Sequence, residues 1–245
     1  MKRETQGESI IHPGRAKGEK RVPPRGIFLP NPPEAGFGCR ELQKIGGRSR
    51  KFFHSSLVVS REEDFFVAGP AVGAPMAVLA LEKLIALGAE EVVLISCCGS
   101  VHPDHEVGDL ILPGRAVCGE GTSPYYGADK DVEVSEMGVE RVQSVLEHEG
   151  FGFHGGSIWS TDAPYREERS VLTRLWQEEG VVGVDMELSA MAAAARFRGI
   201  SLAAVFVVSD LLLTAQWQPG FHWKRFRDQS KGLIHHFFSA FERNL

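Results

Sequence analysis

Short apolar runs and helical stripes of apolar residues alternate along the chain from residue 26 onward. The runs are typical of buried strands, and the stripes repeat with the period of an α-helix. Strands are predicted over 26–30, 54–60, 64–69, 92–98, 107–113, 153–161 and 201–210. Helices are predicted over 74–88, 135–150, 166–180 and 221–245, and 181–199 begins as a strand and continues as an alanine-rich helix. Such alternation favours the α/β class.

Local signals mark where several of these elements begin and end. Ser135 is a typical helix N-cap, and Gly88 follows the last residue of a helical pattern. Residues 54–60 and 64–69 are separated by three charged residues, which predicts a β-hairpin. The Pro- and Asn-rich stretch 31–38 is predicted as a loop that closes the first strand.

Residues 1–25 differ from the rest of the chain because they are polar, rich in Gly and Pro, and basic. Such a composition is typical of a flexible arm. The apolar pair Ile10 and Ile11 beside His12 also allows an arm that docks on a surface. The sequence therefore predicts an N-terminal arm over 1–25 and one α/β domain over 26–245, a length that suits a single domain.

Composition narrows the classes of partner. The formal net charge of −5 gives no reason to expect nucleic acid or an anionic membrane as partner. The best apolar run, Val92–Cys98, has seven residues, well below the roughly 18 of a membrane span. The four cysteines include the adjacent pair Cys97–Cys98 and no CxxC spacing for zinc. These features favour a reducing compartment, and we expect a cytoplasmic protein that holds no metal.

Three predicted strands carry unusual polar residues at their ends, in the segments Ser96–Ser100, Val184–Glu187 and Ser209–Asp210. Ligands of α/β proteins gather beyond the carboxyl ends of strands. Glu187 and Asp210 interrupt or follow apolar runs, where a charge is costly unless it is paired or used. A helix cap or a core ion pair is the alternative for either acid alone. Two acids at neighbouring strand ends favour a functional site.

Other motifs indicate chemistry less clearly. The Gly-rich stretch 69–75 suggests a phosphate cradle around Gly73, although it is neither GxGxxG nor a P-loop. The stretch 102–106 contains two histidines and two acids, but no further residue has ligand spacing, so a solvated loop is expected. The pair His235–His236 lies among aromatic residues of the last predicted helix and is expected to be structural.

Five segments together carry a family resemblance. They are GAP followed by LEKLIALGA, then ISCCGSVHPDHEVGDLILP, STDAPY, VDMELSA and VVSD, in this order. From Gly26 to the C terminus the chain resembles the nucleoside phosphorylase family, which includes purine nucleoside phosphorylase, uridine phosphorylase and the adenosylhomocysteine nucleosidases. The resemblance implies a mixed central sheet, partly closed into a barrel and flanked by helices. It also implies a homo-oligomer, either a dimer or a hexamer built from dimers.

The resemblance also assigns substrate contacts. Glu187 matches the glutamate that binds ribose hydroxyls, and Met186 matches the methionine under the sugar. Asp210 matches the acid that protonates a purine at N7, with Ser209 beside it. His12 resembles, by spacing alone, the histidine that reaches the ribose 5′-hydroxyl of a nucleoside bound in a neighbouring subunit. Glycosidic cleavage builds positive charge on the sugar and negative charge on the base, so a carboxylate and a protonated acid suit these places.

The phosphate site of the family is poorly matched. Pro30–Ala35 stands where the phosphorylases carry a GDPxR loop, and Leu94 stands where they carry a second arginine. Cys97 replaces a serine or threonine. Arg50 or Lys51 lies near the position at which the family offers a basic residue across the dimer interface. A bound dianion needs such cationic partners, so phosphorolysis rests on this one basic position.

The nucleosidases of the family also lack the strand-end arginine. They use water, with a glutamate near the first strand as the base, and Glu34 falls close to that place. A solvated loop carboxylate is the alternative for Glu34. The uracil-reading glutamine and arginine of uridine phosphorylases are poorly matched; the corresponding places hold Glu168 or its neighbours Arg166 and Arg169, and Leu211. Ser209–Asp210 is the purine form, and Tyr165 is an aromatic candidate for contact with the base ring, with packing as the alternative.

The sequence therefore predicts a phosphorylase that cleaves a purine nucleoside with phosphate as co-substrate and without another cofactor. A hydrolytic nucleosidase with Glu34 as base is the first alternative. A catalytically degenerate nucleoside-binding protein is the second. Residues 214–226 are unlike the family, and they are predicted either to close over the substrate with Trp217 and Phe221 or to pack.

Overall fold

The computed structural model describes residues 9–243. Its strands are β1 (Arg25–Phe28), β2 (Arg48–Phe52), β3 (Ser55–Val59), β4 (Phe66–Gly69), β5 (Glu91–Ser100), β6 (Leu110–Gly119), β7 (Asp131–Glu133), β8 (His154–Thr161), β9 (Val181–Asp185), β10 (Ser201–Leu211) and β11 (Gln218–Pro219). Its helices are α1 (Pro32–Lys44), α2 (Ala74–Leu87), α3 (Glu136–His148), α4 (Arg169–Glu179), α5 (Leu188–Arg198) and α6 (Lys224–Glu242). Short 3₁₀ helices cover Ser123–Tyr126 and Pro164–Arg166. Within residues 9–243, no helix combines the length and the apolar character needed to cross a bilayer.

These strands form one mixed sheet, part of which closes on itself. β5, β10, β6, β8 and β9 pair in a ring, because β10 pairs with both β5 and β6 and β9 returns to β5. β1, β4, β3 and β2 extend the sheet outward from the first half of β5. The expected α/β domain, with a mixed sheet partly closed into a barrel and flanked by helices, is confirmed.

Helix α5 shows how the helices pack on this sheet. Its first eight residues, from Leu188 to Ala195, are all buried. Five of them are alanines, whose small side chains let α2, β8 and β10 approach closely. The packing fixes the start of α5, and therefore the end of β9, with respect to the barrel.

Most predicted elements are present, but the prediction of a loop over 31–38 is wrong. Pro32 and Pro33 open helix α1, and Asn31 is its N-cap residue. Proline suits the first helical turn because its missing N–H has no partner there and its fixed φ is already helical. The prolines therefore begin a helix after β1 and place Glu34 in its first turn.

Residues 9–24 run along the surface without a helix or strand. The ammonium of Lys83 in α2 lies 2.5 Å from a carboxylate oxygen of Glu19. The backbone N–H of Val22 donates to the carbonyl oxygen of Leu87 at 3.0 Å. These contacts tie part of the arm to α2. The flexibility predicted for 1–25 stays a prediction, and residues 1–8 lie outside the described residues.

The ends of β5, β9 and β10 meet at one side of the barrel. β10 runs parallel to β5, with Val208 opposite Cys98. β9 runs antiparallel to β5, with Val184 opposite Gly99. The register between β10 and β5 shifts after Val208, so that Asp210 is the next residue with a partner. This irregularity and the end of β9 bring Asp210 and Glu187 to the same cavity.

Candidate active site

A cavity of about 620 Å³ opens where these strands end. Residues from β5, β9, β10, the N-cap of α1 and the segment after β10 surround it. The lining residues are Asn31, Val72, Cys97, Cys98, Gly99, Pro164, Tyr165, Glu167, Arg169, Leu172, Val184, Asp185, Met186, Glu187, Ser209, Asp210, Leu212, Trp217 and Phe221. Apolar walls with a few convergent carboxyl groups are typical of a small-molecule site.

Glu187 is held in this cavity by the loop before α2. It is 3% exposed, and its Oε1 accepts a hydrogen bond of 2.6 Å from the backbone N–H of Gly73. Burial, and then the charge of Asp185, raise the pKa of Glu187. Among the described residues no ion pair includes Glu187. The carboxyl group is therefore oriented by a backbone donor and has no cation to neutralise it.

Asp185 performs the capping role that was the alternative explanation for Glu187. Its Oδ2 accepts from the backbone N–H groups of Glu187 and Leu188 at 3.0 and 2.7 Å. Its Oδ1 accepts from the hydroxyl of Ser160 at 2.5 Å. Burial raises the pKa of Asp185, and these three donors act in the opposite direction. Because Asp185 satisfies the first N–H groups of α5, the side chain of Glu187 is left to face the cavity.

Asp210 presents its carboxyl group to the same cavity and is 7% exposed. The hydroxyl of Ser209 lies 2.7 Å from its Oδ1 and 3.0 Å from the carbonyl oxygen of Cys98. The indole Nε1–H of Trp217 donates to its Oδ2 at 2.7 Å. Oδ2 of Asp210 therefore has a donor within the chain, and Oδ1 shares the single hydroxyl proton of Ser209 with the carbonyl oxygen of Cys98.

Glu167 is a second carboxyl group on the Asp210 side of the cavity. It follows the 3₁₀ helix Pro164–Arg166 and is half-buried. Burial, and then the charge of Asp210, raise the pKa of Glu167 to about 7. A carboxyl group with this pKa is partly protonated at neutral pH, so it can donate or accept a hydrogen bond.

Cys97 and Asn31 form another wall of the cavity. The amide Nδ2 of Asn31 lies 3.1 Å from Ser96 Oγ and 3.4 Å from Cys97 Sγ. Burial, and then the charge of Glu34, raise the pKa of Cys97 to about 12, so this thiol stays protonated at neutral pH. Burial also raises the pKa of Glu34.

A second cavity, of about 410 Å³, adjoins this wall and shares Asn31, Cys97 and Phe221 with the first. Glu34 lines the second cavity, together with Arg227 and Lys231 of α6. The half-buried Glu34 is therefore not the solvated loop carboxylate that was its alternative explanation.

The structure places the remaining predicted residues in different surroundings. Met186 lines the cavity and is half-buried, whereas Tyr165 stands fully exposed at its rim. Arg50 donates to the carbonyl oxygen of Arg21 and lies 3.2 Å from Glu63, away from the cavity. The remaining two predicted residues, Lys51 and His12, are exposed and do not line it. Roles for these basic residues in a neighbouring subunit stay predictions.

Arg169 is the only arginine or lysine among the lining residues, and it is already engaged. Its guanidinium donates to the carbonyl oxygens of Leu213 and Thr214 at 3.1 and 2.6 Å. The phosphate-binding role predicted for Gly73 competes with the bond that its N–H makes to Glu187. Within the described residues, Arg169 is therefore the one cation that the first cavity offers to a phosphate dianion, and two of its N–H groups are already used.

The histidines of 102–106 do not form a metal site. Among the described residues, no group of three or more His, Cys, Asp or Glu is placed to hold a metal ion. The expectation of a solvated loop is wrong for His105, which is buried. Its Nδ1 lies 2.9 Å from Ser100 Oγ, and its ring stacks on His102 and lies against His154.

Sequence reasoning missed Glu167 and Asn31, and it left the role of Trp217 undecided. Glu167 directly precedes Glu168, whose place in the sequence corresponds to a uracil-reading position of uridine phosphorylases. The 3₁₀ turn decides which of the two carboxyl groups faces the cavity. Asn31 had a signal, because an N-cap asparagine after a strand lies at a strand's carboxyl end.

Comparison with known proteins agrees with this geometry. The sequence profile of the phosphorylase superfamily matches residues 24–239. The chain is 27% identical over 153 residues to the DeoD-type purine nucleoside phosphorylase of Clostridium novyi, a match that covers 61% of this chain and 65% of that one. It is 28% identical over 151 residues to the guanosine phosphorylase of Halorubrum lacusprofundi, covering 61% and 62%. The matches thus span less than two thirds of the length of these relatives.

Solved structures share the fold. The purine nucleoside phosphorylase of Toxoplasma gondii matches with a TM-score of 0.80 and 18% identity, covering 96% of this chain and 97% of that one. The 5′-methylthioadenosine/S-adenosylhomocysteine nucleosidase of Campylobacter jejuni matches with a TM-score of 0.76 and 12% identity, covering 89% and 98%. Since the family profile covers nearly the whole domain, the chain belongs to the phosphorylase superfamily.

Proposed function

We propose that this protein cleaves the N-glycosidic bond of a purine nucleoside in the larger cavity. The observation that carries this proposal is the pair of buried acids, Glu187 and Asp210, which face one cavity and have no ion-pair partner among the described residues. Burying two unpaired carboxyl groups is costly. An arrangement of this kind is typical of a site where the acids act on a ligand.

The two acids suit the two halves of the reaction. Glu187 is oriented by Gly73 and accepts hydrogen bonds from ribose hydroxyls, which favours the positive charge that builds on the sugar. Asp210 gives a proton to the base as the C–N bond breaks. The electron pair of that bond stays on the base, which therefore leaves as a neutral molecule. The names of the purine nucleoside and guanosine phosphorylases among the relatives support a purine as the base.

The nucleophile side of the cavity favours water as the acceptor. Glu34 lines the adjoining cavity beside Cys97, which both cavities share, and its raised pKa suits a carboxylate that takes a proton from water. A phosphate dianion beside Glu34 would be repelled by its carboxylate, and two N–H groups of Arg169 are already used by the carbonyl oxygens of Leu213 and Thr214. Hydrolysis to free base and ribose is therefore the reaction that the geometry supports best.

Phosphorolysis, which the sequence favours, is the second candidate. Two observations support it: the relatives named above are phosphorylases, and Arg227 and Lys231 line the adjoining cavity. Arg50 or Lys51 would add a cation if a neighbouring copy brought it to the site. A homo-oligomer is part of this proposal, and light scattering of the purified protein tests it.

The experiment that separates the two reactions is product analysis with and without phosphate. Inosine, adenosine and guanosine are incubated with the protein, and the sugar product is identified by chromatography. Hydrolysis predicts free ribose in both conditions and a loss of rate in Glu34→Gln. Glu168→Gln is the matched control, because Glu168 is exposed and, among the described residues, its one ion pair is with Arg166. Ribose 1-phosphate formed only with phosphate would establish phosphorolysis instead.

A further inference from the structure

The segment after β10 folds back over the cavity. β11 pairs antiparallel with the end of β10, with Pro219 opposite Asp210 and Gln218 opposite Leu211. The N–H of Gly220 donates to the carbonyl oxygen of Ser209 at 2.8 Å. A Cβ at Gly220 would lie 2.3 Å from a methyl group of Val107, so only glycine fits where the segment returns.

Arg169 holds the outward part of the same turn through the carbonyl oxygens of Leu213 and Thr214. The turn is thus fixed at both ends, by Arg169 of α4 and by β11. Trp217 lies between these two attachments and points its indole N–H at Asp210.

The contact between Trp217 and Asp210 has two features of a replaceable contact. Trp217 is 59% exposed, so few core contacts hold it. Its Nε1–H donates to Oδ2, the Asp210 oxygen that Ser209 does not contact. A bound base that approaches Asp210 Oδ2 from the direction of the indole would have to displace the indole N–H.

We propose that Trp217 is a positioning residue that occupies Asp210 Oδ2 in the empty enzyme and exchanges with the purine base during turnover. This inference rests on the proposed function. A base that has received its proton from Asp210 carries a ring N–H, which donates to the carboxylate left behind. The indole N–H is the same kind of donor on a five-membered ring. Trp217 therefore replaces the departing base at Asp210 and opposes its rebinding.

The exchange predicts that removing the indole N–H makes the enzyme hold its product. Trp217→Phe keeps an aromatic ring and loses the indole N–H. Hypoxanthine or adenine then no longer competes with an indole for Asp210 Oδ2. We expect free base to bind about tenfold more tightly, as product inhibition and as direct binding. Trp223→Phe is the matched control, since Trp223 is 51% exposed and does not line the cavity.

The experiment combines base binding with the indole N–H resonances of ¹⁵N-labelled protein. Trp217→Phe assigns the Trp217 resonance. Asp210→Asn is expected to shift it in the base-free protein, and hypoxanthine is expected to move it toward the position of an indole in water. Tighter base binding by Trp217→Phe than by Trp223→Phe completes the expected result.

Three results would overturn the exchange alone. They are a Trp217 resonance that Asp210→Asn leaves in place, a resonance that stays unmoved while a base binds, and weaker base binding by Trp217→Phe. Weaker base binding by Trp217→Phe would mean that the indole contacts the bound base instead of competing with it. Failure of wild type and Trp217→Phe alike to bind any purine base, with the resonance still sensitive to Asp210→Asn, would overturn the proposed purine site and the exchange with it.

Discussion

The backbone N–H of Gly73 donates a 2.6 Å hydrogen bond to Oε1 of Glu187, across a sequence separation of 114 residues. Gly73 is the N-cap residue of α2 and has φ 85° and ψ 149°, a region that is essentially restricted to glycine. The conformation of one glycine therefore aims the carboxyl group that we place on the ribose.

Gly73→Ala is expected to change the orientation of Glu187 without introducing a steric clash. A Cβ at Gly73 meets no atom within 4 Å, so the substitution acts through the backbone. We expect a loss of about 1–3 kcal/mol in the free energy of unfolding and a drop of about 10–100-fold in kcat/KM, because Glu187 loses its orientation.

The control is Gly199→Ala at the end of α5, where φ is 71° and a Cβ also meets no atom within 4 Å. It is expected to lose stability with little change in kcat/KM. Equal losses of activity in the two variants would show that Gly73 acts only through stability.

Glu167 is expected to make stability depend on pH. Its pKa is about 7 in the folded chain against an ordinary 4.5, so the folded state binds the proton more tightly than the unfolded chain does. Its contribution is therefore fully present below about pH 4.5 and is lost as pH rises through 7. Because the group is partly exposed, we expect a loss of about 1 kcal/mol over this range.

Urea unfolding at pH 5 and pH 8 measures this loss. Residue 167 cannot ionise in Glu167→Gln, so the free energy of unfolding of this variant is expected to change less between pH 5 and pH 8 than that of wild type. The free energy of unfolding of Glu168→Gln should change as much as that of wild type. A Glu167→Gln protein with the full wild-type pH dependence would contradict the assignment of the titration to Glu167.

Arg169→Lys is expected to loosen the segment that carries Trp217. A lysine has one ammonium group and cannot reproduce the fork that reaches the carbonyl oxygens of both Leu213 and Thr214. We expect about tenfold faster amide hydrogen exchange over 213–217. Arg166→Lys is the control, because Arg166 is exposed and its ion pair lies with Glu168. Unchanged exchange over 213–217 would remove Arg169 as the attachment.

The sequence predicted those parts of the fold that depend on local signals. Ser135 caps α3 through the N–H of Gly138, and Gly88 ends α2 in the left-handed conformation, as expected from the chain alone. The closed barrel was implied only by the family resemblance, since the pairing of β10 with β5 and β6 joins strands about 100 residues apart. The start of α1 was missed because proline was taken only as a breaker.

The candidate site also contains residues that the sequence predicted and hydrogen-bond partners that it did not. Glu187 and Asp210 were selected because acids at the ends of apolar strands are unusual in any chain. Their partners are Gly73, which lies in a turn far from Glu187 in sequence, and Trp217, which lies in the segment after β10. Their side-chain and backbone bonds depend on tertiary packing, which periodicity does not report.

The most direct test of purine cleavage at this site compares Asp210→Asn on two substrates. One is inosine, whose base leaves as a neutral molecule only with a proton. The other is p-nitrophenyl riboside, whose leaving group needs none. We predict that Asp210→Asn lowers the rate on inosine by about 10²–10⁴-fold and leaves p-nitrophenyl riboside nearly unaffected. Asp129→Asn, at an exposed position, should match wild type on both. Equal rates of wild type and Asp210→Asn on inosine, or no cleavage of any purine nucleoside by wild type, would contradict the assignment.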